Sequence, residues 1–316
     1  MTHTEQAVAA SANQILSQVR KAVLGKDNVL IWVLAAILAK GHILLEDIPG
    51  VGKTTMALAF SKTLGLRYSR MQFTPDVLPS DVTGYTVLDP KTGETSYRPG
   101  AVLCNLFLAD ELNRATSRTQ SALLEAMEEG QVTVDGVSHP VPQPFAVIAT
   151  QNPTGAAGTQ LLPDSQMDRF MLRLSLGYPS AADEIAMIAS RKDGNPLLSM
   201  EPVLDADTLQ QLQKTVEQTH VSDAIMEYVV NLIVATRDHP SIRQGASPRA
   251  TLAVIALSKA VAQLRGRDYV VPEDVRAAFL HATPHRLQLS DEAVLRKQSE
   301  EAVLQKILSA VKSPAL

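Results

Sequence analysis

One stretch of the chain decides the fold: Ile43-Leu44-Leu45-Glu46-Asp47-Ile48-Pro49-Gly50-Val51-Gly52-Lys53-Thr54. Its first four residues predict a short buried strand, and a helix is expected from about Thr54 to Leu64, closed by Gly65. Between them, Gly50 and Gly52 let the backbone curl so that successive N–H groups point inward. The helix that follows directs the positive end of its dipole to the same point. This order of elements predicts a phosphate-binding loop.

Lys53 and Thr54 are the chemically active members of this loop. The Lys53 ammonium would reach the β and γ phosphates of a nucleotide, and the Thr54 hydroxyl would ligate Mg²⁺. The usual pattern begins with glycine where this chain has Asp47, and aspartate tolerates a left-handed conformation better than most residues. A glycine-rich turn without a ligand is the alternative for this stretch alone. The predicted nucleotide-contacting residues are Pro49, Gly50, Val51, Gly52, Lys53, Thr54 and Thr55.

Two carboxylates follow the next buried strand. The apolar run Asn105–Ala109 ends in Asp110 and Glu111, at the carboxyl edge where open α/β sheets bind ligands. Asp110 fits the residue that holds Mg²⁺ through its water shell, and Glu111 fits the base that polarises the attacking water. Without the glycine loop, this acidic pair would be interpreted as a helix cap.

Two further polar residues belong to the candidate site. The strand Phe145–Thr150 is followed by Asn152, whose amide could position the lytic water or touch the γ-phosphate; an ordinary Asn-Pro turn is the alternative. Ser247-Pro248-Arg249 opens a long helix with an N-cap serine and proline at the first helical position. Arg249 is then either a plain surface residue or a cation that reaches from the second domain onto the nucleotide of the first.

The order of the elements predicts two domains. The strands, with another at Phe170–Leu176, are short apolar runs separated by helical segments, which is typical of a parallel sheet covered on both faces. After residue 178 the periodicity is helical throughout. We therefore expect an α/β domain at 1–178, a P-loop parallel sheet, followed by an all-α domain at 179–316. Helical runs are predicted at 5–40 with a break at 24–26, and at 182–190, 205–217, 223–236, 248–264, 272–282 and 290–310.

Two β-hairpins are predicted within the α/β part. Residues 86–88 and 95–97 flank a turn-rich connector at 89–93. Residues 132–134 and 137–139 flank Asp135-Gly136, a dipeptide favoured in type I′ turns because both positions need positive φ. Surface decoration is the plain interpretation of both hairpins.

Composition excludes several classes of protein. With 316 residues, 45% hydrophobic and 20% charged, the chain can bury a core, which excludes general disorder. A net charge of -4 argues against a dedicated duplex-binding protein, although a narrow basic pore stays possible. The single Cys104 excludes internal disulfides and a thiolate metal cluster. The histidines show no ligand spacing, so no metal besides nucleotide-bound Mg²⁺ is expected.

Nothing in the sequence predicts membrane insertion or export. The longest apolar run, Val29–Ala39, is about half of the ~20 residues that a spanning helix needs. The polar N-terminus has neither a basic segment nor an apolar core of a signal peptide. We therefore expect a cytoplasmic protein.

The glycine loop, Asp110-Glu111, Asn152 and Arg249, in an α/β-plus-helical layout, resemble an AAA+ ATPase core with its lid. The two hairpins are similar to those of the helix-2-insert branch, which contains the MoxR ATPases and the magnesium chelatase I-subunit. Residues 116–118, Thr-Ser-Arg, depart from the prolines and lysine usual in MoxR proteins. The segments that resemble MoxR signatures are Gln72–Asp81, Asp110–Ala115, Gln120–Glu129 and Ala149–Pro153.

This resemblance implies a homo-hexameric ring with ATP and Mg²⁺ bound between neighbours. Arg169, in Asp168-Arg169-Phe170 after the stretch 155–163, would then face the ATP of the adjacent subunit; a surface pair of Asp168 with Arg169 is the alternative. Gly25 and Lys26 resemble the segment that lines the adenine pocket, and residues 268–275 resemble the entry to a lid helix. Arg249 would act on the nucleotide of its own subunit.

MoxR-like proteins are thought to remodel or activate other proteins, often with a von Willebrand A-domain partner, so a client protein and such a partner are possible here. A chelatase motor subunit is the alternative within the branch. A nucleic-acid motor is disfavoured by the charge of -4 and by only six Phe and six Tyr. A non-hydrolysing switch is disfavoured because Glu111 supplies a base.

Overall fold

Five parallel strands form the central sheet of the described chain, in the spatial order β2 (Tyr68–Gln72), β5 (Leu106–Asp110), β8 (Ala146–Gln151), β1 (Ile43–Glu46) and β9 (Leu172–Leu174). The computed structural model describes residues 3–152, 162–190, 192 and 194–315. The strands predicted from apolar runs are confirmed, while β2 was missed because its sequence is polar and its side chains are half exposed at the sheet edge.

Both faces of this sheet are covered, which explains its unbroken apolar strands. Leu106 and Leu108 join one buried cluster, and Phe107 and Ala109 join the other. The first cluster continues into the C-terminal helices, so the sheet and the helical part share one core. The helices of the α/β part are α1 (His3–Ala22), α2 (Asp27–Leu38), α3 (Lys53–Thr63), α4 (Pro79–Thr83), α5 (Ser117–Glu129) and α6 (Asp164–Met167).

Both predicted hairpins are confirmed. The first pairs β3 (Gly84–Leu88) with β4 (Thr95–Pro99), and the second pairs β6 (Gln131–Val134) with β7 (Val137–Pro140). Asp135 and Gly136 have φ values of 51° and 80°, the positive angles that a type I′ turn needs. The rings of Tyr97 and His139 stack with centroids 3.6 Å apart, so the two hairpins contact each other directly.

The C-terminal part is helical with two differences from the prediction. A two-stranded antiparallel ribbon joins β10 (Ile242–Gln244) to β11 (Gln288–Leu289). The helix expected over 290–310 is divided in two, because Lys297 is left-handed and the Ser299 side chain caps the second half. The helices are α7 (Ala181–Ser190), α8 (Ala206–Glu217), α9 (Asp223–Arg237), α10 (Pro248–Leu264), α11 (Pro272–Ala282), α12 (Asp291–Leu295) and α13 (Glu300–Ala310). Of the described helices, none has the length and apolarity needed to cross a bilayer.

His42 fastens the amino end of β1 to its neighbours. Its Nδ1 accepts from the backbone N–H of Val147 at 3.0 Å, so Nε2 carries the proton and donates to the carbonyl of Met127 at 3.0 Å. Burial lowers the pKa of His42 to about 4.

The stability of the protein should therefore depend on pH through His42. Between about pH 6.5 and 4 the unfolded chain takes up a proton at this histidine and the folded chain does not. The free energy of unfolding therefore decreases as the pH is lowered through this range, by up to about 3 kcal/mol from this group. His42→Gln keeps a donor and an acceptor but does not titrate. Urea unfolding across this pH range should show a shallower dependence for the variant; identical slopes would contradict the assignment.

Candidate active site

The loop between β1 and α3 has the predicted backbone form. Gly50 and Gly52 have φ values of 87° and 98°, and an added Cβ at either position would meet no described atom within 4 Å. Glycine is thus required by the left-handed backbone rather than by crowding. Lys53 and Thr54 are the first two residues of α3, where free N–H groups and the helix dipole favour an anion.

Asp47 has a different role from the one expected. It is not among the residues with positive φ, so the loop does not use the left-handed conformation that aspartate tolerates. Its carboxylate is buried and accepts from Ser175 Oγ at 2.9 Å, from the N–H of Leu176 at 2.5 Å and from that of Gly177 at 3.1 Å. Aspartate therefore ties the start of the glycine loop to the segment that leads into the helical part.

Lys53 folds back over the same loop. Its Nζ donates to the carbonyls of Asp47 at 2.8 Å and Ile48 at 3.1 Å. Burial lowers the pKa of Lys53, and the nearby carboxylates of Asp47, Asp110 and Glu111 oppose part of that shift. The ammonium has carbonyl partners that are weaker than a phosphate, so an incoming anion can replace them.

Asp110 is held on both of its oxygens. Thr150 Oγ1 donates to Oδ1 at 2.7 Å, and Arg70 Nη2 donates to Oδ2 at 2.7 Å. Thr150 lies on β8 and Arg70 on β2, so the two neighbours of β5 fix the carboxylate. Both residues were missed from the sequence. The strand that carries Arg70, residues 68–72, is mostly polar and gave no apolar run by which to find it.

Glu111 is turned out of the sheet by its backbone. Its φ is 54°, a left-handed conformation that few non-glycine residues adopt, and its N–H donates to Thr150 Oγ1 at 2.8 Å. Its carboxylate pairs with Arg114 Nη1 at 2.8 Å and accepts from Asn152 Nδ2 at 3.4 Å. Two of the four predicted catalytic residues, Glu111 and Asn152, are therefore in contact.

A cavity of about 400 Å³ joins these groups. Thr54 and Asp110 both line it, and a hydroxyl with a carboxylate is an oxygen donor set that suits Mg²⁺. The residues therefore fit a magnesium–nucleotide complex. The lining residues are Pro49, Gly50, Gly52, Lys53, Thr54, Thr55, Arg70, Gln72, Asp110, Glu111 and Asn152.

A second cavity, of about 260 Å³, lies beside the same loop and is bounded by the break between α1 and α2. Lys26 lines it, and its Nζ donates to the carbonyl of Tyr178 at 2.8 Å. Gly25 shapes this break, because its φ is 68° and an added Cβ would lie 2.2 Å from the Asp183 carboxyl group. Residues from α7 and from 195–197 were not predicted here. The cavity is lined by Ala22, Val23, Leu24, Lys26, Gly50, Val51, Gly52, Thr55, Pro179, Met187, Ser190, Asn195, Pro196 and Leu197.

Arg169 and Arg249 lie elsewhere, together. Arg169 Nη1 pairs with Glu128 Oε2 at 2.6 Å, and Arg249 Nη2 pairs with Glu128 Oε1. In the part of the chain that the structure describes, neither arginine lines the two cavities. A surface pair of Asp168 with Arg169 is not formed, since the Asp168 carboxylate accepts from Arg286 instead. The stretch 155–163 lies outside the described residues except for its last two, as does Pro153.

The polarity of the sheet explains this separation. Glu111 and Asn152 follow strands, at the carboxyl edge, whereas Arg169 precedes β9 and so lies at the amino edge. The helix α5 starts near the carboxyl edge and carries Glu128 back across about 20 Å. The position of Arg249 against Glu128 does not support a role at the nucleotide of its own subunit.

Comparison with known proteins identifies the family. Residues 42–172 match the family model described as ATPase family associated with various cellular activities (AAA), and residues 234–307 match the AAA lid domain. A Bacillus subtilis (strain 168) relative, Uncharacterized protein YeaC, is 46% identical over 95% of this chain and 93% of its own length. Chaperone MoxR1 of Mycobacterium tuberculosis (strain ATCC 25618 / H37Rv) is 38% identical over 94% of this chain and 81% of its length. This chain belongs to the MoxR family of AAA+ ATPases.

A solved structure agrees with this assignment. A protein of Cytophaga hutchinsonii ATCC 33406, assigned as an ATPase, superimposes with a TM-score of 0.89 at 32% identity, covering 99% of this chain and 97% of its own. The fold of a MoxR ATPase, a P-loop sheet followed by a helical lid, is therefore confirmed. Residues 234–307, which match the AAA lid domain, are called the lid below.

Removing the Asp47 carboxylate should loosen this MoxR core. Asp47→Ala leaves the N–H groups of Leu176 and Gly177 without their charged acceptor, so we expect a loss of about 3 kcal/mol in the free energy of unfolding by urea titration. Asp207→Ala, at an exposed position of α8, is the control and should cost at most a few tenths of a kcal/mol. Equal unfolding midpoints for the two variants would contradict the structural role of Asp47.

Proposed function

We propose that this MoxR ATPase hydrolyses ATP in a Mg²⁺-dependent reaction, at sites shared between neighbouring subunits of a homo-hexameric ring. The observation that carries the proposal is the contact of Glu111 with Asn152 beside Asp110, in the cavity that also contains Lys53 and Thr54. A base, an amide, a metal-ligating pair and a cation around one cavity are the groups that phosphoryl transfer needs.

Different residues of the two cavities bind the phosphates, the adenine ring and the metal ion. The N–H groups of the glycine loop and the Lys53 ammonium bind the β and γ phosphates. The second cavity receives the adenine ring of the nucleotide, which contacts Lys26, Val51 and their neighbours. Thr54 and Asp110 would hold Mg²⁺, which offsets the negative charge of the phosphates. Thr150 and Arg70 keep the Asp110 carboxylate oriented for that purpose.

Glu111 supplies the base for hydrolysis. Its carboxylate takes a proton from water as the water oxygen bonds to the γ-phosphorus, and the bond to the oxygen bridging the β and γ phosphates breaks to release ADP and phosphate. Asn152 is placed to orient the water or the γ-phosphate. Arg114 holds Glu111 at 2.8 Å and must yield for the carboxylate to reach the water.

Arg169 and Arg249 complete the site of the next subunit. Both are bound by Glu128 at the opposite edge of the sheet from their own glycine loop, so they can serve together at a neighbour's γ-phosphate, where arginines are worth about 10³–10⁵ in rate. For Arg249 this trans role replaces the cis role expected from the sequence. The hydrolysis cycle would drive remodelling or activation of a client protein, with a von Willebrand A-domain protein as its partner. The name of the relative Chaperone MoxR1 supports this role.

Glu111→Gln tests the hydrolytic proposal. The amide has nearly the same shape as the carboxylate but accepts no proton, so we expect unchanged affinity for a fluorescent ATP analogue and a fall of about 10²–10⁴-fold in kcat. Lys53→Ala should instead lose nucleotide affinity, because it removes a phosphate-binding cation. Hydrolysis at the wild-type rate by Glu111→Gln would remove Glu111 from the reaction.

A further inference from the structure

A buried arginine of the lid grips the segment that carries Arg169. Arg286 is at the end of a 3₁₀ turn, Pro284–Arg286, and its side chain is 2% exposed. Its Nε donates to Asp168 Oδ1 at 2.7 Å, and its Nη2 donates to the carbonyls of Asp168 at 3.0 Å and Phe170 at 2.7 Å. The residues on both sides of Arg169 are thus fixed by one guanidinium.

The same aspartate also holds the helix that carries Arg249. Asp168 Oδ2 accepts from Ser247 Oγ at 2.9 Å, and Ser247 is the N-cap of α10, two residues before Arg249. Each oxygen of one carboxylate therefore contacts a different part of the lid. The two arginines are joined a second time by their shared contact with Glu128.

His285 adds a second attachment between the lid and this segment. Its Nε2 donates to the carbonyl of Phe170 at 3.0 Å, and burial, together with the charge of Arg286, lowers its pKa well below the ordinary value. The ring therefore stays neutral near pH 7.

Arg286 offers a rigid planar set of donors, which lysine cannot reproduce, so the geometry of this joint depends on arginine.

We propose that Arg286 is a positioning residue that, through Asp168, sets the spacing and direction of Arg169 and Arg249 as a pair, so that the lid and residues 168–170 move as one body. The inference rests on the proposed function, in which both arginines act on a neighbour's nucleotide. Among the described residues, Arg286 does not line either nucleotide cavity. Loss of Arg286 should therefore impair the action of Arg169 and Arg249 on the nucleotide of the neighbouring subunit. It should leave nucleotide binding by the subunit itself unchanged.

Three substitutions separate this role from general stability. Arg286→Met removes the donors at similar volume, Arg286→Lys keeps the charge but loses the fork, and Arg296→Met changes an exposed lid arginine whose partner is Glu292. We expect Arg286→Met to bind a fluorescent non-hydrolysable ATP analogue within about twofold of wild type, with an unchanged KM and a kcat lowered about 10–100-fold. Arg286→Lys should be intermediate, and Arg296→Met unaffected.

Mixed rings assign the defect to one side of the interface. Arg286→Met subunits keep their base, so mixing them with Glu111→Gln subunits, which keep their arginines, should restore ATPase activity. Mixing them with Arg169→Ala subunits should not, because both fail to donate. The reverse pattern, rescue in neither mixture, or an unchanged kcat for Arg286→Met would overturn the inference.

Two additions keep these outcomes separate. Circular dichroism shows whether Arg286→Met folds. If it does not, Asp168→Asn replaces it in the same mixtures with the same expectation, because asparagine has nearly the same size as the aspartate that contacts both Arg286 and Ser247. The pair Glu111→Gln with Arg169→Ala contains no change at this joint. If labelled subunits exchange and the mixture of Glu111→Gln with Arg169→Ala stays inactive, the proposed site shared between subunits is refuted. If that mixture regains activity, but Arg286→Met is rescued by Arg169→Ala and not by Glu111→Gln, only the positioning role of Arg286 is refuted.

Discussion

All five strands of the sheet run in the same direction, and the site depends on that constraint. Because the carboxyl ends of all these strands lie at the same edge of the sheet, the glycine loop, Asp110, Glu111 and Asn152 converge there. The residues just before β9 lie by the same rule at the other edge, about the length of α5 away. A chain built in this way has its glycine loop and Glu111 at one edge of the sheet, and its own Arg169, paired with Glu128, at the other.

Three carboxylates of the α/β part are each held by arginine, two of them at the site and one at the opposite edge of the sheet. Asp110 is bound by Arg70, Glu111 by Arg114, and Glu128 by Arg169 and Arg249. Phosphate oxygens are strong bidentate acceptors for guanidinium groups, so a bound triphosphate competes with these carboxylates. A phosphate group that reached one of these arginines could then replace its carboxylate partner, because partly exposed pairs of this kind are weak enough to exchange.

Local signals were enough to predict the glycine loop, the acidic pair and both hairpins. Left-handed positions at Gly50, Gly52 and Gly136 require particular residues, so their sequence carries the conformation. The polar strand β2 was missed because periodicity reports burial and this edge strand is half exposed. Asp47 was misjudged because its partners lie some 130 residues further along the chain. Likewise, the position of Arg249 follows from Glu128, a contact that no local pattern contains.

The central claim is that Arg249, like Arg169, serves the neighbouring subunit, and complementation between inactive variants tests it most directly. Arg249→Ala subunits would be mixed with Glu111→Gln subunits, and separately with Arg169→Ala subunits, once labelled chains show that subunits exchange. Our account predicts that ATPase activity returns in the first mixture, where an intact base meets two intact arginines, and stays absent in the second. Activity in the second mixture and not in the first would place Arg249 at the nucleotide of its own chain and contradict the account.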